Sequence, residues 1–339
     1  MRILVDGTSI TKGGGVSTHI TMILKNFSDR DNKYIILIDQ KKARDIVGRD
    51  DFLYIRVPFF NRVTKFFYEQ FVFPFIGLLC KVDLLYMPKQ SSTMIKFYKT
   101  VSTIHDFIPE KKSSKEDIFT RYYWKIEYNL ISKRSDGIIF ITKNCMDIYK
   151  KRFKNLNSKK NCVIYNGFDT YRKYEKQKEE YILIPSTLKE RKNISLALKL
   201  AKDLKEFFKD KKILITGRVD DKNLKKTVKD YEFKGYLPFQ EFEKIINDSF
   251  VIIYLSKEEG FSLPVAEGLF LGKRVVCMDI PVHREIYKDL PIYYIKDLSY
   301  KENLERIVEK IKGEKIYEQK FKSWKECSQE TEEFFRNFK

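Results

Sequence analysis

Phe250-Val-Ile-Ile-Tyr-Leu255-Ser-Lys-Glu-Glu259-Gly260-Phe261-Ser262-Leu263-Pro264-Val-Ala-Glu267 joins an apolar run to a glycine turn and then to a second apolar run. The first run, Phe250 to Leu255, reads as a buried parallel strand. Pro264 suits the first turn of a helix, where its missing N–H is one the helix leaves unpaired anyway. The order strand, glycine turn, helix start leaves the backbone N–H groups of Gly260, Phe261, Ser262 and Leu263 aimed at whatever lies over the helix N-terminus. Phosphate or a sugar oxygen suits that place. Glu259 falls in the turn and Glu267 about one turn inside the helix, its side chain leaning back toward the N-terminus, so both carboxylates are expected to face one ligand. Carboxylates repel phosphate and accept from neutral hydroxyls, and a sugar nucleotide carries both groups. The plainer alternative makes Glu259 a solvated loop residue and Glu267 an acid favoured by the helix dipole.

Outward from this segment, short β-branched and aromatic runs alternate with amphipathic stretches. One series comprises Ile3 to Val5, Tyr34 to Ile38, Val82 to Tyr86, Val101 to Ile104, Ile138 to Ile141 and Val163 to Tyr165. A second comprises Tyr181 to Ile184, Ile213 to Thr216, Val251 to Leu255 and Val275 to Met278. The pattern predicts two parallel α/β sheets. Asp169 to Glu180 is polar and charged and reads as the linker, which gives domains at 1–170 and 171–316 and a tail at 317–339. In the tail, Trp324, Phe334, Phe335 and Phe338 among charges predict an amphipathic helix over Phe321 to Phe338.

A length of 339 residues with 43% hydrophobic content suits a globular chain of two domains. Cys80, Cys145, Cys162, Cys277 and Cys327 show neither a Cys-x-x-Cys pair nor metal-ligand spacing, and a reducing cytoplasm is the simplest setting. No signal-peptide pattern precedes Asp6. The greasiest segment, Phe71 to Cys80, is interrupted by Pro74 and Gly77 and falls short of the ~20 residues a spanning helix needs. The formal charge of +19 gathers at Lys111-Lys112, Lys150-Lys151-Arg152, Lys159-Lys160, Lys211-Lys212 and Lys225-Lys226. Charge alone attracts nucleic acid, anionic lipid and phosphorylated substrates alike. No zinc finger, RNA-recognition aromatic signature or basic zipper accompanies it, so nucleic acid is not the expected partner.

Three further segments are candidate sites. Gly13-Gly14-Gly15 precedes Val16, Ile20, Ile23, Leu24 and Phe27 at helical spacing, and such glycines let backbone N–H groups approach a phosphate. The pattern is not the dinucleotide fingerprint. His105 and Asp106 stand at the carboxyl end of a predicted strand, where ligands of open α/β sheets gather. Arg191 and Lys192 precede Asn193, a candidate N-cap of the helix marked by Ile194, Ala197, Leu198, Ala201 and Leu204. Cations at a helix start call for a bound anion.

The segment Glu259 to Glu267 resembles the paired-glutamate signature of the family 4 retaining glycosyltransferases, and Gly268 to Cys277 resembles the stretch that follows it there. His105-Asp-Phe-Ile-Pro-Glu110 resembles a His-Asp-x-x-Pro-Glu segment of one branch of that family. Weaker matches agree in order: Val163 to Asp169, Thr216-Gly217-Arg218, Gly235-Tyr236-Leu237 and Pro281-Val-His283-Arg-Glu285. The resemblance implies an α/β GT-B architecture, with two facing Rossmann-like domains, parallel sheets and a cleft between them. It implies Gly14, Gly15, Arg191 and Lys192 beside the donor diphosphate, and Gly235 and Tyr236 beside the base. Gly260, Phe261, Ser262 and Leu263 fall around the donor, Glu267 on the ribose and Glu259 on the sugar. His105, Glu259 and Lys192 are the implied catalytic residues, and Asp106 lies on the acceptor side. The tail helix is implied to cross back to the first domain.

No Asp-x-Asp segment and no histidine or cysteine cluster is evident, so a metal-independent reaction without cofactor is expected, the co-substrate being a UDP- or GDP-sugar. The implied acceptor is a glycan or polyprenyl-linked saccharide of a bacterial-type surface polymer. Phe59, Phe60, Phe66, Phe67 and Phe71 with Arg62 and Lys65 form a composition suited to an anionic membrane surface, or alternatively a core helix with a basic outer face. The expected setting is the cytoplasm, either free or peripheral on the inner face of the cell membrane. Two other readings stand beside the enzyme: a basic nucleic-acid-binding protein and a catalytically silent nucleotide-sugar-binding protein on the same fold.

Overall fold

In the computed structural model, the described residues are all except 11–12, 41, 59–60, 112–116, 170, 176, 219–230, 297–298, 314–318 and 320. Phe59, Phe60, Lys112, Lys225 and Lys226 therefore lie outside them. The chain divides into two compact units, one formed by 1–167 with 322–339 and the other by 168–321. The sequence reading had placed these changes at 170/171 and 316/317.

The first unit holds a seven-stranded sheet of β1 (Arg2–Asp6), β2 (Lys33–Ile38), β3 (Leu53–Arg56), β4 (Leu84–Met87), β5 (Lys99–Ile104), β6 (Gly137–Phe140) and β7 (Lys160–Val163). Their order is β3-β2-β1-β4-β5-β6-β7, and every pair is parallel. Central strands are buried along nearly their whole length, as a sheet covered by helices on both faces requires. The second unit holds β8 (Tyr181–Pro185), β9 (Lys212–Thr216), β10 (Glu232–Phe233), β11 (Ser249–Tyr254), β12 (Arg274–Met278) and β13 (Ile292–Ile295). Their order is β10-β9-β8-β11-β12-β13, again all parallel. Two parallel α/β sheets are thus present.

Each sheet changes its direction of growth once, between β1 and β4 in the first unit and between β8 and β11 in the second. At such a point, the loops leaving the two neighbouring strands part to opposite faces and open a crevice at the carboxyl edge. Asp6 ends β1, Lys89 follows β4, Arg191 and Lys192 follow β8, and Glu259 follows β11. Topology has thus placed the candidate residues before any side-chain contact is considered.

Within Asp169 to Glu180, Arg172, Tyr174 and Lys178 are tied to the second unit. Glu243 Oε1 accepts from Arg172 N (2.7 Å), Asn247 Oδ1 from Tyr174 N (3.0 Å) and Asp248 Oδ1 from Lys178 N (3.2 Å). A polar composition here serves a surface strap satisfied by buried acids and amides. Strand β7 begins three residues before the predicted run at Val163, because an edge strand carries polar, exposed residues such as Lys160 and Asn161. Strands β3, β10 and β13 were not predicted.

The tail folds as helix Trp324–Arg336, capped by Ser323 and Glu326 in a reciprocal box, and belongs to the first unit. Trp324 and Phe335 are fully buried, and Phe335 meets Tyr86 (4.9 Å) and Phe27 (6.2 Å) edge-on. Gly167 is required at the crossing, since a Cβ there would lie 2.2 Å from Trp324 N. Glu332, 2% exposed, accepts from Asp29 N (2.9 Å), Ser28 N (3.1 Å) and Tyr34 Oη (2.6 Å). Replacing Glu332 by Ala removes the acceptor of these donors, of which the Tyr34 hydroxyl is buried, and a buried unpaired group costs roughly 1–3 kcal/mol. Glu332→Ala is therefore expected to lower the urea midpoint of the transition followed by the fluorescence of Trp124 and Trp324, both in the first unit; an unchanged midpoint would show that the Glu332 contacts do not help to hold the unit.

Candidate functional site

In the second unit, β8 leads through Ser186 and Thr187 into a short turn of 3-10 helix, Glu190–Lys192, and then into helix Ile194–Phe207. Asn193 does not act as the expected side-chain cap: it adopts a left-handed conformation (φ 53°, ψ 42°) and makes no capping bond. Asn tolerates this conformation, and the kink turns Arg191 and Lys192 back over the neighbouring loop. Lys257 N donates to Arg191 O (2.9 Å), which fastens the β8 loop to the loop after β11.

Glu259 is the centre of this fastening. Lys192 Nζ forms an ion pair with Glu259 Oε1 and also donates to Tyr254 Oη. Arg191 Nη1 lies 3.3 Å from Glu259 Oε1 and 3.1 Å from Glu258 O, while Tyr254 Oη donates to Glu259 Oε1 at 3.1 Å. Burial alone raises the Glu259 pKa, but Lys192 and then Arg191 outweigh it and hold the group at about 2. Two cations against one carboxylate leave a net positive charge at the crevice. The structure thus assembles Arg191, Lys192 and Glu259 into one network of direct ion pairs, whereas the sequence reading gave the cations to the diphosphate and the acid to the sugar of the same donor.

Glu267 lies on helix Leu263–Phe270 and is 8% exposed. Its carboxyl is driven the other way, up to about 7, by burial, partly offset by the Tyr171 hydroxyl. Between the two acids, Gly260, Phe261 and Ser262 are buried. Among the described residues, none accepts the backbone N–H of Gly260, Phe261, Ser262 or Leu263. Backbone N–H groups without acceptors are rare inside a fold, and this run of four, three on buried residues and the fourth on half-buried Leu263, forms a ready anion cradle at a helix start. Gly235, with φ 65°, accepts from Gly217 N (2.7 Å), and Arg218 stacks over the Tyr236 ring at 4.9 Å, so the last strand-end loops of this edge also meet.

In the first unit, Gly14 (φ 105°) stands at the N-cap of helix Gly15–Asn26, where a Cβ would meet nothing within 4 Å. His105 is buried, and its Nε2 lies 2.7 Å from Pro88 O. A carbonyl only accepts, so Nε2 carries the proton, and burial lowers the ring pKa to about 4, leaving a neutral imidazole. His105 is thus no proton donor at neutral pH. Asp106 is a turn-former here: its carboxylate accepts from Ile108 N (2.9 Å), and its own N–H donates to Gln90 Oε1 (2.6 Å).

Several residues at these edges were missed by sequence reasoning. His19 meets His105 edge-on at 4.6 Å and hydrogen-bonds Asn166 through Nδ1 (2.8 Å). Lys89 pairs with buried Glu69 (2.8 Å), and the Lys65 amine, lowered to about 8 chiefly by burial and then by Lys89, reaches Ser9 Oγ (3.1 Å). Glu127 is held well above the usual carboxylate range by burial and then by Glu69. These residues come from six separate segments with no common spacing. Tyr254 and Tyr171 were missed because a strand-end or surface-strap tyrosine gives no motif; the only signal was that Tyr254 directly precedes the Glu259 loop.

A family model for glycosyl transferases group 1 matches residues 168–329, and one for Glycosyltransferase Family 4 matches residues 13–172. The chain is 26% identical over 203 residues to the O-antigen chain mannosyltransferase RfbU of Salmonella typhimurium, covering 58% of this chain and 56% of that protein. It thus spans little more than half the length of this curated relative. Sucrose-phosphate synthase from Thermosynechococcus elongatus shares the fold with a TM-score of 0.73 at 12% identity, over 99% of this chain and 98% of that one. Anabaena HepE, solved with UDP and glucose, does so with a TM-score of 0.67 at 14% identity, over 98% of this chain and 99% of that one. The fold is α/β GT-B.

The opposite shifts of the two glutamates give a pH signature. Glu267, with a folded pKa of about 7, binds its proton more tightly folded than unfolded, so its contribution favours folding at low pH and is lost as pH rises from about 4.5 to 7. At 1.36 kcal/mol per pH unit, the loss is on the order of 3 kcal/mol. Glu267→Gln is therefore expected to stabilise the second unit more at pH 8 than at pH 5 in thermal melts. An equal difference at both pH values would show that the carboxyl does not titrate in this window.

Proposed function

Because the chain belongs to the family 4 glycosyltransferases, we propose that it transfers a hexosyl unit from a UDP- or GDP-sugar to a glycan or lipid-linked saccharide of a bacterial surface polymer, without metal and with retention of anomeric configuration. The observation that carries this reading is the row of N–H groups at Gly260 to Leu263 without acceptors among the described residues, set between Glu259, held at about 2 by Lys192 and Arg191, and Glu267, raised to about 7 by burial. The row and the net charge of Arg191 and Lys192 receive the diphosphate. Glu267 accepts from the ribose hydroxyls, Glu259 from the sugar, and Gly235 and Tyr236 border the base. Gly14 and Gly15 supply further N–H donors.

The bond from the anomeric carbon to the diphosphate breaks through an oxocarbenium-like state, and charge builds on the leaving oxygen. Donors fixed before the reaction stabilise that charge without reorganising, which is where Lys192 matters most. The acceptor oxygen bonds to the anomeric carbon, and its proton passes to the leaving phosphate. Neutral His105 contributes as a hydrogen-bond acceptor for a hydroxyl on the first unit. The name of RfbU supports a surface-polymer acceptor.

A membrane-borne acceptor is favoured by one structural observation. Val63, Phe67, Phe71, Phe75, Leu78 and Leu79 are exposed along 62–79, and Ile118, Phe119, Tyr122 and Ile126 along helix Ile118–Arg134. The Phe66–Tyr123 contact at 5.9 Å joins the two faces. The only acids in both stretches, Glu69 and Glu127, are buried, whereas Lys125, Lys133 and Arg134 are exposed. Among the described side chains of 63–79, the large exposed ones are apolar. An apolar stripe flanked by these cations, with the exposed Asp117 at the N-cap of helix Ile118–Arg134, suits an anionic bilayer surface. No helix among the described residues is long and apolar enough to cross a membrane.

Glu267→Ala and Lys192→Ala are each expected to lower transfer from the donor by about a hundredfold or more. UDP or GDP should raise the melting temperature of wild type but not of Glu267→Ala. Unchanged rates in both variants, or stabilisation by single-stranded nucleic acid alone, would overturn the assignment. In flotation assays, the protein should float with phosphatidylglycerol vesicles and not with phosphatidylcholine vesicles, and a Phe67→Ser, Phe71→Ser variant should lose this. Equal binding to both lipids by both proteins would remove the membrane surface.

A further inference from the structure

Ser262 stands at the N-cap of helix Leu263–Phe270 with φ 70° and ψ 60°, a conformation that residues with a Cβ rarely adopt. A serine in this position ordinarily turns its hydroxyl back onto the N2 or N3 backbone N–H. Ser262 makes no such bond. Its hydroxyl instead lies 2.7 Å from His283 Nε2, with both side chains buried. On the other side of the ring, Nδ1 lies 2.7 Å from Met278 O. The carbonyl requires a proton on Nδ1, so Nε2 is the acceptor and Ser262 the donor. Burial lowers the ring's pKa.

A second clamp acts on the same turn. Tyr287, one turn beyond His283 on helix Pro281–Tyr287, donates its hydroxyl to Phe261 O (3.0 Å) and Ser262 O (3.1 Å). Tyr294 on β13 bonds His283 O and Tyr287 O (both 3.3 Å), which fixes the short helix against the sheet. Together these contacts grip the turn from behind through one side chain and two carbonyls. Its backbone N–H groups are left without protein acceptors among the described residues. Without the grip, Ser262 is free to relax to ordinary N-cap geometry, and its hydroxyl then takes the Val265 N–H, Pro264 having none to offer.

We propose that His283 and Tyr287 are positioning residues for the leaving diphosphate, acting through Ser262 to hold the left-handed turn that presents the N–H groups of Gly260 to Leu263. This rests on the donor-site reading above. Glycine adopts the same backbone conformation without needing a clamp, which separates this role from simple packing. The test is titration calorimetry of the full chain with UDP and with GDP, using wild type, His283→Leu, His283→Gln and Tyr287→Phe, each with Ser262 and with Ser262→Gly.

His283→Leu is expected to weaken nucleotide binding by about tenfold, the scale by which strain of this kind tips a conformational equilibrium. His283→Gln, which keeps an acceptor beside Ser262, should recover most of the loss. Tyr287→Phe removes a single oxygen and should weaken binding in the same direction. In the Ser262→Gly background, the added effect of His283→Leu and of Tyr287→Phe should shrink severalfold. Equal losses in both backgrounds, or no loss with Ser262 in place, would overturn the positioning role while leaving the donor site intact. If wild type binds neither nucleotide, the donor-site reading itself fails and takes this proposal with it.

Discussion

A parallel sheet cannot be closed by hairpins. Every strand must return across a face of the sheet before the next can pair, and the crossovers run with one hand. A chain that covers both faces of such a sheet must reverse its direction of growth, and the loops on either side of the reversal separate at the carboxyl edge. Both sheets of this protein do this once, at β1/β4 and at β8/β11. Glu259, Lys192 and Arg191 meet because their loops leave the two strands flanking that reversal. The candidate chemistry is therefore a by-product of how the sheet is wound.

The same edge explains why two glutamates so close in sequence behave in opposite ways. Both lose hydration on burial, which favours the neutral form. Glu259 recovers more than it loses from Lys192 and Arg191, while Glu267 has a neutral hydroxyl, Tyr171, as its partner. Environments that push the pKa values of neighbouring groups apart are a mark of divided roles, one group fixed in its charge and the other able to respond.

The strands at Ile3 to Val5, Tyr34 to Ile38 and Val251 to Leu255 were legible because a strand buried on both faces must be apolar almost throughout. β3 and β7 were obscured because edge strands mix polar and exposed residues into the run, and β13 because only Ile292 to Ile295 stands between charged flanks. The Glu259 turn was legible through glycine and proline, whose backbone limits leave a local mark. His283 stood in a weaker match without a role and Tyr287 left no mark, since their partners lie some 21 to 26 residues earlier and only the folded chain brings them together. Asn193 misled for a related reason: the same residue type serves a side-chain cap and a left-handed turn, and sequence does not say which.

Helix Trp324–Arg336 has a bearing on the order in which the chain becomes protein. The first unit is interrupted by the whole of the second, so it lacks its last helix until residues 168–321 have been translated. On the ribosome, the second unit has all of its residues in hand while the first still exposes the groove that Trp324 and Phe335 will fill. Synthesis therefore leaves the earlier half of the chain waiting on the later one, and a nascent chain arrested after residue 321 would carry that groove as a site for chaperones.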